Sequence, residues 1–440
     1  MVLVGAMPRL SVRCSSIRCW ACQVLVGGLS WAWPAADAGE AHPVNRIERL
    51  RQKLTAGEHL AAGDRWGYLP AMLEQLEISP DSQTLVFSKT SFQQHQISPE
   101  RPRAIYFNDD CYVAWVRDSP TIEFAVADGE EGARFYTLPD SNQTDSNQTA
   151  VDFAQVSPVL VENKTRCTDC HQNAVTGEHG AARHLGNVVC HDPERIDWVD
   201  CEQGANQRHL PAAIMPEAYL RQTSDIFALM VLAHETQMHN HLTRLAAAAR
   251  DMERGAGDGQ VPDAAQAVTR AAVEERFHRV VEAFMRYLLF ADEPPLAAPL
   301  SSDSPYRHGF QQRGPRDRQG RSLRDFDGTR YLFTYPCSFL IYGETFAALP
   351  ELAQVAVGRR LRELLLDQVD LREGGQPWPR PTPAERVAVA EILAETVPGF
   401  WQRYVAEKQI SSRMLPVAAE WKASRGSSRS SAARSRRRDP

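Results

Sequence analysis

The sequence predicts an α+β protein with a β-rich N-terminal part, an irregular central segment and a helical C-terminal part. Three observations carry this. Between about residues 84 and 138, short runs rich in β-branched and aromatic residues alternate with turn clusters. From about 166 to 211, periodic apolar residues give way to Gly, His and Cys. Beyond 225, apolar residues recur at the three- and four-residue spacing of helices.

The first 38 residues read as a secretory signal peptide. Arg9, Arg13 and Arg18 form a positive start, and no acidic residue precedes Asp37. An apolar stretch from Cys19 to Trp33 follows, broken by Gln23, Gly27, Gly28 and Ser30, and it is shorter than the roughly 20 residues of a spanning helix. Ala36-Asp37-Ala38 offers the small-x-small pattern of a cleavage site, so export to the periplasm or beyond is expected, with cleavage near Ala38. An uncleaved N-terminal anchor is the alternative.

Residues 39–165 form the β-rich region. Asn45–Leu54 carries Ile47, Leu50 and Leu54 at helical spacing. The strands expected next are Thr84–Ser88, Ala104–Phe107, Tyr112–Val116, Ile122–Val126 and Arg134–Leu138, an antiparallel meander of about five strands. Turns fall at Asn108-Asp109-Asp110 and Asp128-Gly129. A tandem Ser-Asn-Gln-Thr from 141 to 149 reads as an exposed loop.

Residues 212–423 form the helical region. Asp225–Ala249 is one helix, ended by a linker around Gly255–Gly259. Asp263 caps a second that runs to about Asp292, before Pro294-Pro295. The Arg- and Gly-rich stretch Tyr306–Gly328 reads as loop. Leu349–Asp367 and Pro383–Thr396 are further helices, the last opened by Thr382-Pro383-Ala384-Glu385, a capping box with proline at the first helical position. The Ser/Arg-rich tail, 424–440, reads as a disordered basic end; a polyanion or membrane-surface contact is its alternative.

The composition is ordinary for a globular protein, and a formal net charge of -6 argues against a nucleic-acid-binding body. Nine cysteines need sorting. Cys14, Cys19 and Cys22 lie in the signal, so Cys19-x-x-Cys22 leaves with it. Cys111 and Cys337 read as small buried hydrophobes. Cys190 and Cys201 could close a short disulfide loop in an oxidising compartment; the sequence leaves their pairing open.

Cys167-Thr168-Asp169-Cys170-His171 is the strong signal. Two thiols separated by two residues can form thioethers with both vinyl groups of a porphyrin, and the adjacent imidazole then reaches the iron. Random placement predicts on the order of 0.005 such motifs in a chain of this composition. The motif implies one covalent haem c, anchored by Cys167 and Cys170, with His171 as axial iron ligand. Competing readings are a zinc site completed by Cys190, His191 and Cys201, and a structural disulfide. The zinc reading lacks a second Cys-x-x-Cys pair, and the export signal supports haem independently, because covalent haem attachment takes place outside the cytoplasm.

The second axial ligand has several candidates. Met230, His234, Met238 and His241 recur at i, i+4, i+8 and i+11, within an arc of about 80° on one helix face. His234 or Met238 there could complete the coordination; the competing reading is a packed core with satisfied histidines. His234-Glu235 opens like a zinc-peptidase motif, but position 238 is Met, so that reading fails. His179 and His184, close after the haem motif, are the other source, with His184 in Arg183-His184-Leu185-Gly186-Asn187. Arg183 is placed to pair with a haem propionate; Arg316, Arg318 and Arg330 are further propionate candidates.

Beyond the motif, several stretches resemble a family of exported bacterial cytochrome c proteins. They are Leu85–Phe92 (LVFSKTSF), Arg103–Val116 (RAIYFNDDCYVAWV), Arg183–Asn187 (RHLGN), Ala228–Asn240 (ALMVLAHETQMHN), Gly314–Asp327 (GPRDRQGRSLRDFD) and Tyr335–Tyr342 (YPCSFLIY). The resemblance implies that the flanking regions and the haem segment, 166–211, form one unit. It implies no catalysed reaction. The chain departs from the family in a short spacing between His171 and His179, and in Cys111 where an aliphatic residue would suit the strand.

The functional expectation is electron transfer through one haem, with redox partner proteins and no nucleic acid. A haem enzyme of peroxidase or oxidase type, or a haem-based sensor, is the alternative if the sixth iron position is open.

Overall fold

The computed structural model describes residues 45–63, 65–87, 91, 93–139, 158–164, 214–255, 264–302, 304–367, 372–373 and 376–406. The signal peptide, the haem segment with Cys167, Cys170, His171 and His184, the Cys190–Cys201 pair and the basic tail lie outside the described residues.

The α+β expectation holds. Helix α1, Arg46–Thr55, is capped by the Asn45 side chain, which accepts from the Glu48 amide, and buries Ile47, Leu50 and Leu54. Helix α2, Leu69–Gln75, was not anticipated by the sequence reading; it begins on Leu69-Pro70 and buries Leu69, Met72 and Leu73.

An antiparallel meander follows in strict sequence order: β1 Thr84–Val86, β2 Arg103–Phe107, β3 Cys111–Trp115, β4 Thr121–Asp128, β5 Gly132–Pro139 and β6 Val161–Glu162. It has one strand more than the five expected, because the two-residue β6 is too short to show a period of its own. Register is set by alternation. Ala104, Tyr106, Cys111, Val113, Trp115, Ile122, Phe124 and Val126 face a core shared with α1, α2 and the stretch around Ile214 and Tyr219. Phe107, Tyr112, Ala127, Ala133 and Phe135 face the opposite way, into a second core built with the C-terminal helices. The sheet is therefore covered on both sides.

The long helix α3, Ile226–Gly255, starts where the Asp225 carboxylate accepts from the Ala228 amide. It packs antiparallel to α4, Ala264–Leu288. The second helix ends at Leu288 and not near Asp292. Phe290, at φ 51°, adopts a left-handed conformation that stops the helix, and the Ala291 amide closes it on the Arg286 carbonyl.

Within the stretch read as loop, Tyr306–Gln312 forms α5. The sequence hid it because His308 and Gly309 are poor helix formers. Tyr306 and Phe310, one turn apart and both buried, supply the packing that overrides propensity. Further helices include α6 Glu344–Ala347, α7 Glu351–Leu365 and α8 Pro383–Thr396, the last with both hydrogen bonds of the expected capping box. No helix among the described residues is long and apolar enough to cross a membrane.

Candidate functional site

The described residues that flank the segment with the Cys-x-x-Cys-His motif are held at opposite edges of the sheet. On the N-terminal side, β6 pairs with β5, and Asn163 donates its amide to the Phe135 carbonyl and its side-chain nitrogen to Thr137. On the C-terminal side, Gln83 beside β1 donates to the carbonyls of Arg221 and Thr223, at 2.7 Å each. Ser224 accepts from the Leu85 amide, and the Tyr219 hydroxyl donates to the Pro102 carbonyl. Five inter-strand steps separate the two edges, about 24 Å at the usual spacing.

Helix α3 carries the predicted ligand face. His234 is buried at 6 % exposure, and its Nε2 lies 2.8 Å from the Ser338 hydroxyl. Rings of Tyr287, Phe290, Phe333 and Phe339 surround it, with centroids between 4.7 and 5.9 Å away. Burial lowers its pKa to about 3, so the ring is neutral. Met238 is fully buried in the core between the sheet and the helices, and Met230 packs against that core partly exposed. His241 also stacks on Tyr287, with ring centroids 4.6 Å apart. In this arrangement the face is a packed wall in which His234 has its hydrogen bond already. For either His234 or Met238 to reach an iron, a porphyrin would have to displace several of these side chains.

Of the arginines considered as propionate partners, Arg316 is engaged by Asp325 at 2.9 Å and by the Gly320 and Gln311 carbonyls. Arg318 is almost fully exposed, 3.9 Å from Glu395, and Arg330 lies over the Tyr331 ring. The structure does not bring these three together. Cys111 and Cys337 are free thiols with no exposed surface, as expected of small buried hydrophobes.

The residues that the sequence reading passed over are the charged ones behind that wall. Asp109, in the β2–β3 turn, pairs with Arg324 and lies 3.9 Å from Arg313. Its carbonyl meets Nε2 of His239, one turn along α3 from Glu235, at 2.8 Å. Glu235 itself is completely buried. Burial, with the Asp109 charge, pushes its carboxyl well above the usual carboxylate range. Tyr112 and Tyr306, both buried, sense the Glu235 charge. A usable signal did exist: an acid inside an otherwise apolar helical run (ALMVLAHE) must find either a partner or a proton. It was read only as half of a failed zinc motif.

Among the described residues, no group of three or more His, Cys, Asp or Glu is placed to hold a metal ion. Comparison with protein families, curated proteins and solved structures finds no match.

Proposed function

We propose that this protein is an exported, periplasmic c-type cytochrome that carries one covalent haem on Cys167 and Cys170, with His171 as axial ligand, and passes electrons between partner proteins. The observation that carries this reading is the Cys-x-x-Cys-His motif at 167–171, in a chain that opens with an export signal. The bound haem supplies a one-electron iron couple, whose potential depends on axial ligation and burial. The described residues that flank the motif's segment include exposed apolar side chains, Val159 and Val161 before it and Met215 after it.

The test is direct. Protein matured in a host with haem-attachment machinery should keep haem staining on a denaturing gel, and Cys167→Ala with Cys170→Ala should abolish it. Unstained wild-type protein would end this reading.

A second reading, a haem enzyme or sensor with an open sixth position, is favoured by the engagement of His234 with Ser338 and the burial of Met238. If neither leaves the core, His184 or an exogenous ligand must complete the iron. Absorption of the reduced protein separates these cases. A spectrum indifferent to carbon monoxide indicates a protein ligand such as His184, and a ready shift indicates an open site.

A further inference from the structure

Polar atoms converge between the sheet and α3 that no described residue satisfies. Both carboxylate oxygens of Glu235 lack a hydrogen-bond partner, as do the hydroxyls of Tyr112 and Tyr306. Arg324 gives one amino group to Asp109 and is left with Nε and Nη1 unpaired, although the residue is only 2 % exposed. Its guanidinium is held over the rings of Phe310 and Phe339, 4.8 and 4.4 Å from their centroids. Gly314, at φ 83°, leaves room for it: a Cβ there would stand 2.9 Å from Nε. Leaving one buried polar group unpaired costs at least as much as a lost hydrogen bond. Six such atoms on four residues from four different segments point to a ligand.

The chemistry of that ligand follows from charge and donor count. Arg324 and Arg313 bring two positive charges, and Asp109, ionised beside them, brings one negative. His239 is neutral, its pKa lowered by burial to about 4. Asp110, pushed up by burial to about 6, faces Arg46 on α1 at 3.5 Å. Glu235 holds its proton, so it too can donate. The balance is one positive charge facing two phenol hydroxyls, two guanidinium N–H groups and a carboxylic acid. A cation is repelled there, and the burial of Glu235, Tyr112, Tyr306 and Arg324 favours a small anion over a large one.

We propose that Glu235, Tyr112, Tyr306 and Arg324 form a buried binding site for a small oxyanion of the formate or nitrite class. The site is independent of the haem reading, since none of its residues belongs to the haem segment. Binding takes place with Glu235 in its acid form.

Formate is the probe, titrated into the full protein with chloride at equal ionic strength as control, while thermal unfolding and visible absorption are followed. Formate should raise the melting temperature saturably, and Tyr306→Phe should weaken that effect roughly tenfold to a hundredfold, the worth of one hydrogen bond to a charged group. As pH rises, wild-type affinity should fall once Glu235 ionises, whereas Glu235→Gln should bind with an affinity that does not follow pH. If Tyr306→Phe does not fold, Tyr112→Phe serves the same comparison. No effect of formate beyond chloride would overturn the proposal. So would an effect undiminished by Tyr→Phe, or a pH profile that Glu235→Gln shares. A formate effect that shifts the haem absorption and survives Tyr306→Phe would place the anion on the iron and overturn it equally.

Discussion

At the scale of single residues, His234 shows how burial decides a side chain's role. The same imidazole that could ligate iron lies among four aromatic rings, with Nε2 held by Ser338. Ser338→Ala should cost about 1–3 kcal/mol, because it leaves a buried ring nitrogen unpaired. Met238→Ala should cost about 2–5 kcal/mol as a cavity in the core. Both are measurable by urea unfolding, and neither should move the absorption of the reduced haem. A spectral change in Met238→Ala would return that residue to the iron. Sequence spacing placed His234 and Met238 on one face of α3, but spacing says nothing of what that face meets. The rings of Phe333 and Phe339 come from about a hundred residues further along the chain.

At the scale of elements, local signals predicted starts better than ends. The Thr382–Glu385 capping box opens α8 where the sequence placed it, because the cap is a contact between residues three apart. The end of α4 depends on the left-handed turn at Phe290, a residue with no intrinsic preference for it. Gly358, in the middle of α7, is another case. Alanine in place of glycine should favour a helix by roughly 1 kcal/mol. Here a Cβ would lie 2.4 Å from the Tyr404 Cβ and 2.8 Å from its carbonyl oxygen, in the stretch Trp401–Ala406 that packs on α7. Gly358→Ala is therefore expected to destabilise, by about 1–3 kcal/mol of overpacking, and thermal melts should show a lower midpoint. A raised midpoint would mean that α7 and that stretch do not approach so closely.

At the scale of the whole molecule, two sets of buried titrating groups set the pH profile in opposite directions. His234, His239 and His241 are lowered by burial to about 3, 4 and 4. The unfolded chain takes up their protons below about pH 6.5 while the folded chain refuses them, so stability falls as pH drops from there towards 4. Asp110 and Glu235 are raised by burial. The folded state keeps their protons when the unfolded state has lost them, so they reduce stability as pH rises, Asp110 only up to about 6. The three histidines contribute a rise in stability from about pH 4 to 6.5, and the raised carboxyls, Glu123 and Glu293 with Asp110 and Glu235, oppose it. Melts across that range test this, and Glu235→Gln should gain on wild type progressively above about pH 4.5. A gain that did not change with pH would mean that the Glu235 carboxyl titrates normally.

The sequence by itself determined the α+β class, the strand order of a meander, the helices with strong caps and the Cys-x-x-Cys-His motif. Each of these is written in neighbours a few residues apart, as alternation, capping pairs or Cys-x-x-Cys-His spacing. Only the tertiary structure decided that the sheet has a core on each face, that α5 is a helix, that His234 is held by Ser338, and that Glu235, Tyr112, Tyr306 and Arg324 are buried with polar atoms unpaired. Those outcomes depend on which distant segments exclude water from one another, and burial of a charge leaves no local trace until its surroundings are in place.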